Sequence, residues 1–207
     1  LEAGILTARS FNVNQGSSKA VHQGQLGVVW SGPLGGVSAQ VSGWGLFRNM
    51  DNPIPPRIID LERTAFGVRT AITTQTPGEY GELTWTAGVD LDFQRDNRLN
   101  FENDGGNRGT LTLDQFETVS ATGLFVQMRA PLSARLWVMG GLRYDRFRFK
   151  ADDRFITAES PDESGVRTMD ALSPTLGLHV EVSPELIFYG NVATSLDTPS
   201  TTELVNR

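Results

Sequence analysis

The chain has 207 residues, 39% of them hydrophobic and 20% charged, with 22 glycines, no cysteine and a formal net charge of −6. It has no apolar run of the roughly 18 or more residues that a membrane-spanning helix needs, but a barrel strand needs only about 9 to 11 residues of alternating polarity and is not excluded. The lack of cysteine removes disulfides and thiolate metal sites, and the acidic balance argues against nucleic acid, which needs a concentrated basic face.

The chain opens on Leu1-Glu2-Ala3-Gly4 with no basic or apolar leader, so the expectation is either a processed chain or an internal fragment. Alternation of apolar and polar residues then predicts strands at about 20–31, 37–48, 62–75, 82–94, 116–128, 135–149, 171–182 and 186–197. The clearest is the fourth. Leu83, Trp85, Ala87, Val89, Leu91 and Phe93 share one face and Thr84, Thr86, Gly88, Asp90, Asp92 and Gln94 the other, a period of two that no helix reproduces. The sixth repeats it with Leu136, Val138, Gly140, Leu142 and Tyr144 set against Trp137, Met139, Gly141, Arg143 and Asp145. The seventh does so through Leu172, Pro174, Leu176, Leu178, Val180 and Val182.

The predicted connections alternate in length. Gly32–Gly36, Thr76–Gly81, Arg129–Ala134 and Ser183–Glu185 read as tight turns. Asn49–Glu62, Arg95–Gln115 and Lys150–Asp170 read as long solvated loops, with Asn103–Asn107 a flexible tip and Glu159–Glu163 exposed loop charge. Short turns at one end and long loops at the other predict an all-β fold, an antiparallel up-and-down transmembrane β-barrel of the bacterial outer membrane. Phe93, Tyr144, Phe147 and Phe149 at the loop ends and Trp30 beside a turn fit aromatic girdles. Alternation alone does not say whether the apolar face meets lipid or a packed interior, so a soluble lipocalin-like binder is the inverted reading.

Gly123-Leu124-Phe125-Val126-Gln127, a short turn, and Leu136 through Gly141-Leu142-Arg143-Tyr144-Asp145 resemble a hairpin of TonB-dependent outer-membrane receptors. Leu172–Leu178 with Ser183-Pro184-Glu185-Leu186-Ile187-Phe188-Tyr189-Gly190-Asn191 resembles another. Ser195-Leu196-Asp197-Thr198-Pro199 through Glu203-Leu204 is similar to the family's threonine-proline and glutamate-leucine signature, with Leu196 where an aromatic is commoner. The resemblance covers about Gly123 to Arg207. It implies that the chain is one part of a β-barrel domain, about eight strands of a barrel of about 22, with the plug domain absent. It further implies a receptor that imports a scarce bulky nutrient, such as an iron-siderophore chelate, with outer-membrane lipid around it. The TonB complex would act through the missing N-terminal part. The alternatives are a self-contained small barrel serving as anchor or adhesion module, and an outer-membrane barrel enzyme.

The expected lumen-facing polar residues are Arg69, Asp90, Asp92, Arg143, Asp145 and His179. His179 lacks the Asp or Ser partners of a hydrolase and reads as a polar wall residue, so no catalytic residue is assigned. Asp90 and Asp92 read as hydrated wall carboxylates in preference to a cation site, and no cofactor or metal is expected. Arg69 and Arg143 would pair with neighbouring acids or the plug, or meet an anionic chelate.

Overall fold

The computed structural model describes residues 10–198. A short helix, α1 (Ser10–Asn14), precedes eight strands: β1 (Ala20–Leu34), β2 (Val37–Ile54), β3 (Arg57–Gly78), β4 (Gly81–Asp104), β5 (Asn107–Ser133), β6 (Leu136–Asp153), β7 (Gly165–Ser183) and β8 (Leu186–Ala193). They form one antiparallel sheet in sequence order. Among the described residues β1 pairs only with β2 and β8 only with β7, so the sheet is not closed. A self-contained barrel would need β8 bonded to β1, and that alternative falls.

Two of the predicted long loops are sheet. β2 and β3 run on to a two-residue turn at Pro55-Pro56, and β4 and β5 to one at Gly105-Gly106. The supposed flexible tip is therefore a tight turn in which Gly105 and Gly106 have φ of 59° and 94°, a pair of left-handed residues that suits the strand twist. The physical reason is that a sheet projecting into water can be polar on both faces. Arg63 faces Asp96 and Arg98 lies near Glu117 across strands, so these charges bind the sheet where they had suggested loop. Only the third link stays irregular, shortened to residues 154–164. At the other end β8 stops at Ala193, short of the expected 197; the Thr194 N–H still donates to Pro174 O at 3.1 Å, and the chain then leaves the ladder.

The register divides the side chains cleanly. One face carries Leu26, Val28 and Trp30 of β1, Trp85 and Leu91 of β4, Leu124 and Val126 of β5, Leu142 of β6, and Leu176 and Leu178 of β7. All of these are exposed, Leu26 by 76% and Leu91 by 50%. Only Ala39, Ile58, Ala65 and Phe149 are buried apolar residues among those described, so the sheet encloses no oily core and the lipocalin-like reading fails with it. An apolar face of this extent is stable only against hydrocarbon.

Glycines show which way the sheet curls. A Cβ at Gly24, Gly45, Gly140 or Gly190, all on the apolar face, would meet nothing within 4 Å. At Gly67, Gly88 and Gly123 on the opposite face it would overlap neighbouring atoms. Crowding on the polar side and space on the apolar side mean that the sheet is concave toward its polar face. The girdle expectation needs one correction: Phe93 and Tyr144 lie on the apolar face, but Phe147 and Phe149 lie on the polar one, stacked with centroids 6.4 Å apart.

Candidate functional site

The concave face is built around a lattice of charges. Arg69 on β3 stands directly opposite Asp90 on β4 and grips it with Nε–Oδ1 and Nη2–Oδ2 distances of 2.6 and 3.2 Å. Arg143 donates to the same carboxylate from two strands away, with Nη1 2.6 Å from Asp90 Oδ2. Its Nε and Nη2 hold Asp145, at 2.8 and 2.7 Å.

What lets Arg143 reach is Gly123. In the ladder Asp90 pairs with Gly123 and Gly123 with Asp145, so the glycine lies between the two acids. A Cβ there would collide with Arg143 Nη2 and come within 2.8 Å of its Cζ. Gly67 has the same place between Trp44 and Asp92, whose indole nitrogen and carboxylate close over it. A glycine inside a strand marks close approach of a neighbouring group, and here two long side chains lie flat against the wall.

Of the six expected residues, Arg69, Asp90, Arg143 and Asp145 form one ion-paired group and Asp92 lies one residue pair away on the same face. Asp90 has both oxygens occupied by guanidinium groups, so it is a poor cation ligand; among the described residues no His, Cys, Asp and Glu cluster could hold a metal ion. His179 shares the face but stands apart, with its ring 5.2 Å from Trp137 and nearly perpendicular to it. Beside the ion-paired group is a hollow of 520 Å³ that also takes in Phe125, Phe147, Ser173, Thr175 and Leu196, giving it charged, hydroxyl and aromatic walls. Thr198 ends the described part of the threonine-proline signature; Pro199 to Leu204 lie outside the described residues.

Sequence reasoning missed a second tier nearer the hairpin tips. Arg63 holds Asp96 through a fork of 2.8 and 2.6 Å, Gln94 adds a bond of 3.1 Å to Asp96, and Arg98 sits 3.4 Å from Glu117. Asp96 and Glu117 are almost fully buried. The available signal was charge of opposite sign at alternate positions across neighbouring strands. Beyond the sheet, Asp162 in the 154–164 link accepts from the Ser164 side chain and backbone amide, which holds its carboxyl below the ordinary 3.8.

An antiparallel meander with a greasy convex face, a salt-laced concave face and open edges is a section of the wall of a membrane-spanning β-barrel. The chain belongs to the TonB dependent receptor-like β-barrel family, whose model matches residues 8–207. Its place is the bacterial outer membrane. Solved structures share the fold. The ferric citrate transporter FecA in its unliganded form superposes with a TM-score of 0.66 at 11% identity, over 84% of this chain and 27% of its own. The ferric-catecholate import receptor Fiu from E. coli K12 gives 0.65 at 10% identity, over 87% of this chain and 36% of its own. The alcaligin outer-membrane receptor FauA from Bordetella pertussis gives 0.64 at 8% identity, over 80% and 27%. The chain thus spans 27% to 36% of the length of these receptors.

Proposed function

We propose that this chain is part of the wall of a receptor that imports a scarce, bulky nutrient, such as an iron-siderophore chelate, across the outer membrane. Energy would come from the TonB complex, acting through a part of the receptor that precedes the barrel. The concave face, with Arg69, Asp90, Asp92, Arg143, Asp145 and His179, lines the lumen, and the hairpin tips at 55–56 and 105–106 and the 154–164 link face the cell exterior. The role is binding and passage without covalent chemistry.

The observation that carries this reading is the division of the sheet into an exposed apolar face and a face whose arginines and aspartates are locked to one another. A wall of that kind gives hydrocarbon nothing polar to solvate and gives a passage a fixed, hydrated lining. Structures named as ferric citrate, ferric-catecholate and alcaligin receptors share the fold, which supports the choice of ferric chelates as the first ligands to test.

The test uses the complete receptor in cells starved of iron, with uptake of a panel of radiolabelled ferric chelates measured with and without TonB. Uptake of at least one chelate that needs both the receptor and TonB is expected. Uptake indifferent to TonB, or no difference between receptor-positive and receptor-deleted cells across chelate, cobalamin and glycan panels, refutes the proposal.

A further inference from the structure

The concave face changes character on its way to the tight turns. Beyond Arg143 one row across the sheet reads Thr73, Thr86, Gln127, Gly141 and Thr175, and the next Gln75, Thr84, Arg129, Met139, Gly177 and Asn191. These positions include no carboxylate, and Arg129 is their single cation. The row nearest the turns sets Trp137, His179 and Tyr189 side by side on β6, β7 and β8. From Arg143 to Trp137 this stretch of wall is about 20 Å long at strand spacing.

The two zones also differ in what their polar groups already bind. Arg69, Asp90, Arg143 and Asp145 are locked to one another. In the lower zone Thr73 and Thr86 bond to each other at 3.0 Å, but Thr84, Gln127, Thr175 and Asn191 have no side-chain partner among the described residues. The exposed Arg129 lies over the Trp137 ring at 5.8 Å and makes no hydrogen bond or ion pair among the described residues.

Glycines hollow out the same stretch. Gly141 lies in the ladder between Gln127 and Thr175, and Gly177 between Met139 and Asn191. A Cβ on Gly141 would stand 3.4 Å from Gln127 Cγ, and one on Gly177 3.2 Å from Met139 Cε. The missing side chains leave a recess of 400 Å³ with a backbone floor and a rim of amide, hydroxyl and thioether groups. Gln127, Gly141 and Thr175 also line the 520 Å³ hollow beside Arg143, so the two spaces adjoin.

Unpaired amides and hydroxyls both donate and accept, as the hydroxyls of a sugar do. Water would satisfy them equally, but water gains nothing from aromatic rings on a polar wall, whereas the C–H face of a pyranose packs on such a ring. Tyr189 is 84% exposed. A further strand beside β8 would bond to its edge and leave that ring facing inward. A metal cation finds no carboxylate in the recess and a polyanion finds one guanidinium, so charge does not select the ligand here.

We infer that Gln127, Thr175, Thr84, Asn191 and Arg129, with Tyr189 and Trp137, form a binding site for an uncharged oligosaccharide in the half of the lumen nearest the tight turns. The amides, hydroxyls and Arg129 bond to sugar hydroxyls, and Tyr189 and Trp137 meet the apolar ring faces. The inference rests on the concave face lining the lumen.

The test is calorimetric titration of the complete receptor in detergent with uncharged linear hexamers of glucose, N-acetylglucosamine, mannose and xylose. At least one hexamer should bind with a dissociation constant of about a millimolar or below. Gln127→Ala and Asn191→Ala should each weaken it roughly fivefold, and the double variant about 25-fold. Tyr189→Ala should weaken it roughly fivefold and Tyr189→Phe leave it within about twofold, which separates the ring from the hydroxyl. Heat-modifiable gel mobility confirms that each barrel is intact. Binding of none of the hexamers, unchanged affinity in the double variant, or an equal loss in Tyr189→Phe and Tyr189→Ala overturns the site. Ferric-chelate uptake by the same receptor reads the transport proposal separately. TonB-dependent uptake without hexamer binding overturns the sugar site alone, and hexamer binding with uptake indifferent to TonB overturns the transport proposal alone.

Discussion

Replacing Gly88 by alanine tests the curvature of the sheet, because Gly88 lies on the concave face beneath Phe125. A Cβ there would overlap the Thr70 carbonyl oxygen of the neighbouring strand and stand 2.5 Å from Phe125 Cζ. The ring can turn; the backbone carbonyl is held by the ladder and cannot. Overpacking of this kind costs about 1–3 kcal/mol, and removing glycine's unfolded-state freedom returns about 0.5–1 kcal/mol. The net expectation for Gly88→Ala is a loss of about 0–2.5 kcal/mol. Gly140 is the control, since a Cβ on it meets nothing within 4 Å on the convex face. Gly140→Ala should gain the same entropy and place one methyl in hydrocarbon, worth about 0.8 kcal/mol more. The two variants should therefore differ by at least about 1.3 kcal/mol, with Gly140→Ala the more stable. Denaturant unfolding of the complete receptor in lipid vesicles, followed by tryptophan fluorescence, measures both. Equal stability of the two variants would refute the claim that the sheet curls toward its polar side.

Leu124→Arg, in the middle of the apolar face, should cost about 2–4 kcal/mol in the same vesicles, whereas Gln127→Arg on the concave face should be nearly neutral. Equal costs would mean that the two faces are wrongly assigned. Asn103 ties the chain before β1 to two hairpin tips, donating to Gln15 O at 2.8 Å and Ile54 O at 3.4 Å and accepting from Gly106 N at 2.7 Å. Asn103→Ala should raise amide hydrogen exchange across residues 15–18 by about tenfold while leaving β4 to β6 unchanged, and no local increase would show that the tie is not needed. Asp162 should titrate below 3.8 by NMR, and Ser164→Ala should move it back up. Because its folded-state value is lowered, its support for the link is complete above the ordinary value and is lost as pH falls through the lowered one. An unshifted Asp162 would remove that support.

Legibility of the sequence depended on what each part of the sheet faces. From Leu83 to Gln94 one side meets lipid and the other water, so hydrophobicity itself alternates and the strand is plain. Past Gln94 both sides are wet: Arg95 and Asn97 point outward, Asp96 and Arg98 inward, and all are polar. The period of two survives there only as charge paired across strands, Arg63 with Asp96 and Arg98 near Glu117, which a single segment read alone does not reveal. Parity was enough to put Arg69, Asp90, Asp92, Arg143, Asp145 and His179 on one face, because each lies in a segment with clear alternation. It was not enough for Phe147 and Phe149, which are apolar residues on the polar side. Gly123 and Gly67 were invisible for a different reason: a glycine's place between two reaching side chains exists only once the register of three strands is known.

The flat-lying side chains also bear on barrel size. A small closed barrel fills its interior with its own side chains, so inward residues point at the axis and meet across it. Here Arg143 lies along the wall over Gly123, and Trp44 and Asp92 close over Gly67. Arg69 is bound to its wall neighbour Asp90 yet remains 65% exposed on the concave side. The lining is thin, its charges are satisfied sideways, and it leaves the space in front of it to something else. At the edges the outer backbone groups of β1 and β8 have no partner strand among the described residues, and in hydrocarbon each such group costs several kcal/mol. Both features call for the same completion: further strands to satisfy the edges, and through them a lumen wide enough that the wall does not fill it.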